Sequence, residues 1–364
     1  MKVSVVIPVY NERRTFLELL SEVKKAPVGG CEKEIVIVDD RSVDGTSDIL
    51  KGISEDNIKV LFHTCNRGKG AALRTGFGAA TGDVIIVQDA DLEYDPYEYE
   101  KLLEPIIAGR ADIVYGSRFL KKGSGRTAYS AHKLANVFLT VLSNIFSGLR
   151  LTDMETCYKV FKADMIKDFD IEEERFGFEP EITAKIAGLV RDGKARLEEV
   201  GISYKARSYS QGKKIGLKDG IRAVWCIVKY NDSISAVFFR YAISGIFAAL
   251  SQYASMVLLV EFMGFKSLFL QNAANIISIL ASFAVAFTLH SVVTWRFKFR
   301  SSADLRTKFA GFFGISSVSL IFRSAVFYVL SLFGTDYRIN TLIGIALIVL
   351  INFNFYGSLF SGDN

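Results

Sequence analysis

The last third of this chain is almost free of charge. Residues 1–230 hold 35 Lys/Arg and 34 Asp/Glu, whereas residues 231–364 hold 9 and 5. Four apolar stretches fill that tail: Tyr241 to Val260, Ser267 to Trp295, Phe309 to Phe333 and Thr341 to Phe360. Each is long enough for a helix to cross a bilayer core of about 30 Å. Four such stretches in succession, with so few charges between them, argue for membrane spans rather than buried core helices. The connection from Arg296 through Lys298, Arg300 and Arg306 to Lys308 is strongly basic. By the positive-inside rule that connection is cytoplasmic, which places both termini and the whole charged half there too. Arg323 lies within the third stretch and is either a functional group or a pairing residue between helices. Asn352 and Asn354 are candidates for interhelical hydrogen bonds.

The first part of the chain has the charge of an ordinary globular domain and the length for one core. A net charge of +5 argues against a general nucleic-acid partner, which needs a concentrated basic face. Cys31, Cys65, Cys157 and Cys226 are far apart with no CxxC, so neither a disulfide framework nor a structural zinc site is expected. The N-terminus reads as a strand rather than a signal peptide, because a polar turn follows a short apolar run.

Short β-branched runs alternate with helical patterns in this half. Val3–Ile7, Glu34–Val38, Lys59–Phe62, Val84–Val87 and Ile113–Tyr115 read as strands. Leu17–Lys25, Ser47–Ile53, Ala71–Ala79 and Tyr97–Ile107 read as helices. The alternation predicts an α/β domain with a mostly parallel sheet. Ligands of such sheets sit beyond the carboxyl ends of the strands. Polar groups converge there: Pro8-Val-Tyr-Asn-Glu12, Asp39-Asp-Arg-Ser-Val-Asp-Gly-Thr46, Gln88-Asp-Ala-Asp-Leu-Glu93 and Gly116-Ser-Arg118. Neither GxGxxG after the first strand nor GxxxxGK[ST] is present. Asp89 and Asp91 can turn toward one divalent cation, and Glu93 is close enough to add a third oxygen. An oxygen-only set favours Mg²⁺ or Mn²⁺, which bind substrate phosphates and keep waters. Asn66-Arg-Gly-Lys-Gly-Ala72 is either an ordinary Gly turn or a loop approaching a nucleotide.

Two further segments have helical stripes. His132 to Leu149 aligns Leu134, Val137, Phe138, Val141, Leu142, Ile145, Phe146 and Leu149. Gly216 to Tyr230 aligns Leu217, Ile221, Val224, Trp225 and Val228, with Lys218, Arg222 and Lys229 off the stripe. Each fits a core helix or one lying in a membrane interface, and the basic face with Trp in the second favours the interface.

The series Val5-Val-Ile-Pro-Val-Tyr-Asn-Glu12, Val38-Asp-Asp-Arg-Ser-Val-Asp-Gly-Thr46, Asn66-Arg-Gly-Lys-Gly70, Asp89-Ala-Asp91 and Gly116-Ser-Arg118 resembles family-2 glycosyltransferases of the GT-A fold. Thr152-Asp-Met-Glu-Thr-Cys-Tyr-Lys159, Phe176-Gly-Phe-Glu179, Ile202-Ser-Tyr-Lys-Ala-Arg207 and Gly212-Lys-Lys-Ile215 resemble the dolichol-phosphate mannose synthase branch, and the tail resembles the GtrA-like membrane domain. The resemblance implies a GT-A (Rossmann-like) catalytic domain over 1–215 and an all-α domain over 233–364, and the amphipathic stripe between them reads as an interfacial helix or linker over 216–232. The all-α domain would have four transmembrane helices, at about 236–260, 268–293, 309–333 and 340–360. It implies that Pro8, Tyr10, Glu12, Val38 and Asp40 hold the nucleoside, and that Asp89, Ala90 and Asp91 hold the diphosphate and metal. Glu93 stands where many relatives carry another polar residue. Arg118 would lie near the reacting phosphates, with Arg207 and Lys213 either closing over the donor or belonging to a solvated basic run or one attracted to anionic lipid. The basic loop from Leu120 to Ser130 would bind the lipid phosphate through Arg126 and Ser130, or be a solvated surface loop.

The implied reaction is metal-dependent, inverting transfer of mannose from GDP-mannose to dolichyl or polyprenyl phosphate. Alternatives are a glucosyltransferase using UDP-glucose and, from another class, a lipid-linked sugar flippase seated in the membrane half. A processive polysaccharide synthase would need Gln-x-x-Arg-Trp, which is missing.

Overall fold

The computed structural model describes residues 1–120, 131–205 and 216–360. The chain divides into two compact units, Met1–Ser233 and Ile234–Asn364.

In the first unit seven strands form one sheet: β1 (Lys2–Val9), β2 (Glu32–Asp39), β3 (Ile58–Phe62), β4 (Val84–Val87), β5 (Ile113–Ser117), β6 (Lys159–Lys162) and β7 (Leu197–Gly201). Their spatial order is β3-β2-β1-β4-β6-β5-β7. All pairings are parallel except those of β6, which runs antiparallel to both β4 and β5. Val5 faces Ile35 on one side and Ile86 on the other. These are near-continuous Val/Ile runs, as expected of strands covered on both faces, and Val3, Val5, Ile7, Ile35, Ile37 and Ile86 are fully buried.

The expected helices are present as α1 (Phe16–Lys25), α2 (Thr46–Lys51), α3 (Lys69–Ala79) and α4 (Tyr99–Ile107), the last preceded by a 3₁₀ turn at Pro96–Glu98. Helix α1 buries Phe16, Leu19, Leu20 and Val23 at helical spacing. Helices α5 (Ala131–Ser147), α6 (Ala163–Lys167), α7 (Phe178–Arg191) and α8 (Leu217–Tyr230) follow among the described residues. Strand order departs in opposite directions from β1, through β2 to one edge and through β4 to the other. Such a reversal opens a crevice beyond the carboxyl ends of the two central strands, here the ends of β1 and β4.

Most of the stripe of α5 faces outward, with Phe146 buried. Leu134, Val137, Phe138, Val141 and Ile145 are exposed, while Thr140, Ser143 and Ser147 are buried. The polar side turns inward because the segment before β6 bonds to it. Asn136 Nδ2 donates to Asp153 Oδ1 (3.1 Å), and the Met154 amide donates to Thr140 Oγ1 (3.1 Å). Asn144 both donates to Leu151 O (2.7 Å) and accepts from its amide (3.1 Å). Helix α8 likewise exposes Ile221 and Trp225 and buries Ala223, Cys226, Ile227 and Val228. Contiguous apolar exposure of this kind marks an interaction surface rather than a core.

The second unit is helical: α9 (Ile234–Val257), α10 (Leu268–Leu289), α11 (Ser302–Leu332) and α12 (Tyr337–Phe360). Helices α9 and α10 continue through π-helical turns at Leu258–Phe262 and His290–Thr294. Among the described residues three spans, Ile234–Phe262, Leu268–Thr294 and Ser302–Leu332, are long and apolar enough to cross a membrane, and the pair Tyr337–Val349 and Ile351–Phe360, bent by 52°, makes a fourth only if it is counted as one span. The third helix starts earlier than its apolar run. Ser301 caps it by accepting from the Asp304 amide (3.1 Å), so Arg306 and Lys308 belong to α11 rather than to the basic connection. Lys308 Nζ donates to Leu359 O (2.9 Å). Asn352 makes the expected interhelical bond, accepting from Ser319 Oγ (2.6 Å).

Candidate active site

The rim beyond β1, β2, β4 and β5 is built from loops that bond to one another. After β1, Asn11 adopts φ 55°; its amide donates to Ser42 Oγ (2.9 Å) and its Oδ1 accepts from the Val43 amide (2.8 Å). Asn tolerates this left-handed backbone better than most residues. Thr15 Oγ1 donates to Glu12 Oε2 (2.8 Å) and lies 3.0 Å from Ala90 O, tying the first loop to the acidic turn. Pro8 and Tyr10 are half-buried at the end of β1, and Val38 is buried in β2.

Asp40, just past β2, is buried and organises the glycine loop. Its Oδ1 accepts from the Arg67 amide (2.9 Å), its Oδ2 accepts from the Gly68 amide (2.6 Å), and His63 Nδ1 lies 2.8 Å from Oδ1. Gly68 has φ 103°, and a Cβ there would stand 2.5 Å from Glu174 O; a Cβ on Gly70 would stand 2.1 Å from Glu173 O. The two glycines therefore let this loop press against the backbone of 173–175.

That packing delivers Lys69 to the acidic turn. Lys69 Nζ lies 2.9 Å from Asp89 Oδ1 and 2.9 Å from Glu179 Oε1, with Glu179 at the start of α7. Burial alone disfavours the ammonium, but the two carboxylates more than offset it and raise its pKa well above the usual lysine value. Buried Gln88 fixes the turn's base. Its Oε1 accepts from the hydroxyls of Tyr99 (2.7 Å) and Tyr158 (2.8 Å), and its Nε2 donates to Asp89 O (2.9 Å). Leu92 has φ 60°, a strained conformation for a branched residue. It lets Asp91 Oδ1 accept from the Glu93 amide (3.1 Å).

Asp89 and Asp91 offer oxygen only, and that chemistry fits a hard divalent cation completed by phosphate oxygens and water. Glu93, the third expected oxygen donor, also accepts from the Tyr204 hydroxyl through Oε2 (2.7 Å). Among the described residues no group of three His, Cys, Asp or Glu side chains gathers to hold a metal.

Arg118 follows β5 and is locked to Asp153. Nε and Nη2 donate to the two carboxylate oxygens at 2.7 Å each, and the Arg118 amide adds a third bond at 3.0 Å. Asp153 is fully buried, while the Arg118 side chain keeps 15% exposure toward the rim. Tyr204 bridges the two halves of the site: its hydroxyl is on Glu93, and the Arg118 guanidinium lies 5.1 Å from its ring centre. Arg126, Ser130, Arg207 and Lys213 lie outside the described residues.

Sequence reasoning gave no role to Asp153, Glu155, Glu179 or Tyr204. Their segments were singled out only by resemblance, because their partners are distant in sequence. Glu155 Oε1 is buried without a hydrogen-bond partner. Burial and the nearby Glu179 charge push its pKa up to about 8, against the smaller pull of Lys159 and Arg118. A folded-state pKa above the unfolded value near 4.3 supplies stability that is complete at low pH and is lost as pH rises toward about 8. The thermal midpoint of the intact protein should therefore fall between about pH 5 and 8 more steeply than that of Glu155→Gln. Parallel profiles would remove this assignment.

Comparison with known proteins supplies the chemical context. Residues 4–169 match Glycosyl transferase family 2, and residues 240–360 match the GtrA/DPMS transmembrane domain. An undecaprenyl-phosphate mannosyltransferase of Micrococcus luteus is 32% identical over 224 residues, covering 59% of this chain and 88% of that protein. A dolichol-phosphate mannosyltransferase of Pyrococcus furiosus is 27% identical over 352 residues, 95% of this chain and 96% of that one. A dodecaprenyl-phosphate galacturonate synthase of Rhizobium johnstonii is 26% identical over 281 residues, 75% and 78% of the two chains.

Proposed function

The chain belongs to glycosyl transferase family 2 and carries a GtrA/DPMS transmembrane domain, and from that premise we propose that it transfers mannose from GDP-mannose to the phosphate of a dolichyl or polyprenyl lipid. The observation that carries this reading is the Tyr204 bridge, which ties the acidic turn after β4 to the anchored guanidinium after β5. A site for a donor diphosphate and a site for an acceptor phosphate then adjoin on one rim. The similarity to relatives named for polyprenyl-phosphate sugar transfer supports the acceptor class.

In this reading Pro8, Tyr10, Glu12, Val38 and Asp40 hold the nucleoside. Asp89 and Asp91 would hold Mg²⁺ or Mn²⁺, which would offset charge on the departing diphosphate. Arg118 orients the lipid phosphate, with Arg126 and Ser130 as further contacts, and Arg207 and Lys213 close on the donor. A phosphate monoester is largely dianionic at neutral pH, with a second pKa near 6, so it attacks the anomeric carbon without a strong general base. The carbon–oxygen bond to the nucleoside diphosphate breaks as the new bond forms, and the configuration inverts. Positioning and charge stabilisation supply the catalysis. The exposed apolar faces of α5 and α8 fit a catalytic unit resting on the cytoplasmic surface of the bilayer that holds its acceptor.

Incubation of the purified protein with labelled GDP-mannose, polyprenyl phosphate and Mn²⁺ should yield an extractable labelled glycolipid. Label appearing only with UDP-glucose or another donor in a panel would replace the sugar, and no glycolipid with any donor would overturn the reading.

A further inference from the structure

Arg323 sits inside α11, about 14 Å from its C-terminal end at 1.5 Å per residue, and is only 8% exposed. It lines a cavity of about 300 Å³ within the membrane unit. A guanidinium buried among membrane helices is costly unless an anion or several acceptors meet it. Here its Nη2 donates to Gln252 Oε1, a neutral amide. Arg323 Nε and Gln252 Nε2 are both buried without a hydrogen-bond partner. Among the described residues lining the cavity none is acidic. The neighbouring polar groups satisfy one another instead: Ser319 bonds Asn352 at 2.6 Å, and Ser316 lies 2.8 Å from the Tyr356 hydroxyl.

The cavity thus holds one positive charge, two unmet N–H donors and no counter-charge. We propose that it binds the phosphate head of a membrane lipid, with Arg323 as its charge partner and Gln252 as the second donor. The guanidinium fork matches phosphate oxygens, and a lipid is the carrier that brings a phosphate to a site between membrane helices. This site is separate from the transfer reaction and does not depend on it.

Two aromatic residues on the cavity wall provide a local probe. Trp295 lies 5.7 Å from His290 and 6.3 Å from Tyr356, ring centre to ring centre, and both line the cavity. The chain has two tryptophans, so Trp225→Phe leaves Trp295 as the sole indole, read by excitation selective for tryptophan over tyrosine. Full-length Trp225→Phe protein in nanodiscs is titrated with undecaprenyl phosphate, undecaprenol and inorganic phosphate. Undecaprenyl phosphate should give a saturable change that undecaprenol does not. Arg323→Met should weaken it by at least about tenfold, and Arg323→Lys by less. Gln252→Leu should weaken it too, and serves if Arg323→Met fails to fold. The change should persist in an Asp89→Ala background, which keeps its fold and in which the proposed transfer is disabled. Equal binding of the neutral alcohol, no effect of Arg323→Met, or loss in the Asp89→Ala background would overturn the proposal. Saturation by inorganic phosphate without competition from the lipid would do the same for the lipid source.

Discussion

Asp89→Ala and Asp91→Ala should each lower sugar transfer by about 10³-fold or more while the protein stays folded, since in the proposed reading each would remove an oxygen ligand of the cation that offsets charge on the departing diphosphate. The fold survives for a structural reason. Asp89 is partly exposed, and the Lys69 ammonium it pairs with keeps its second partner, Glu179, at 2.9 Å. Gln88 holds the turn through the Asp89 carbonyl rather than its side chain, so that anchor survives in both variants, and Asp91→Ala gives up one local bond, from the Glu93 amide. Retained helical circular dichroism and thermal midpoint, together with lost turnover, is the expected pair of results. Near-wild-type turnover in either variant would show that the acidic turn is not the chemical centre.

Asp153→Ala should have the largest effect on stability, about 3–5 kcal/mol, with transfer lost as well. Removing one partner of a buried, bidentate ion pair leaves the other charge uncompensated, and here Arg118 would lose three bonds at once. The pair should be strongly coupled: a cycle with Arg118→Ala, Asp153→Ala and the double variant should show the double costing much less than the sum. The acid limb carries the same signature. Burial pushes the Asp153 carboxyl up, but the charge and hydrogen bonds of Arg118 more than offset it, and its pKa falls below the ordinary value. A lowered carboxylate pKa stabilises the fold above the unfolded value near 3.9 and is lost as pH falls below it. Urea midpoints for the wild type should therefore drop below about pH 4, a drop that Asp153→Asn lacks. Additive effects in the cycle, or identical acid limbs, would refute the coupling.

Hydrophobic patterning located the five strands and four helices read from the first 120 residues to within a few positions, because continuous Val/Ile runs leave few alternatives. It missed β6, four residues of Lys-Val-Phe-Lys whose identity as a strand comes from insertion between β4 and β5. It missed α7, whose turns bury Glu179, Glu181 and Thr183 alongside its apolar residues and so blur the stripe. The apolar stripe of α5 was legible, but its direction was not, since periodicity defines a face without saying what that face meets. Bonds from Asn136, Thr140 and Asn144 to the 151–154 segment turned the polar side inward.

The sequence by itself determined that part of this chain lives in lipid, that an α/β sheet precedes it, and that carboxylates stand at the end of β4. Those properties follow from local hydropathy and spacing. Only the tertiary structure decided that Lys69 and Glu179 share the acidic turn, that Asp153 grips Arg118, and that Glu93 gives its oxygen to Tyr204. Such pairs join residues far apart along the chain, and in a buried site each charge is set by whichever distant partner the packing brings within hydrogen-bond reach.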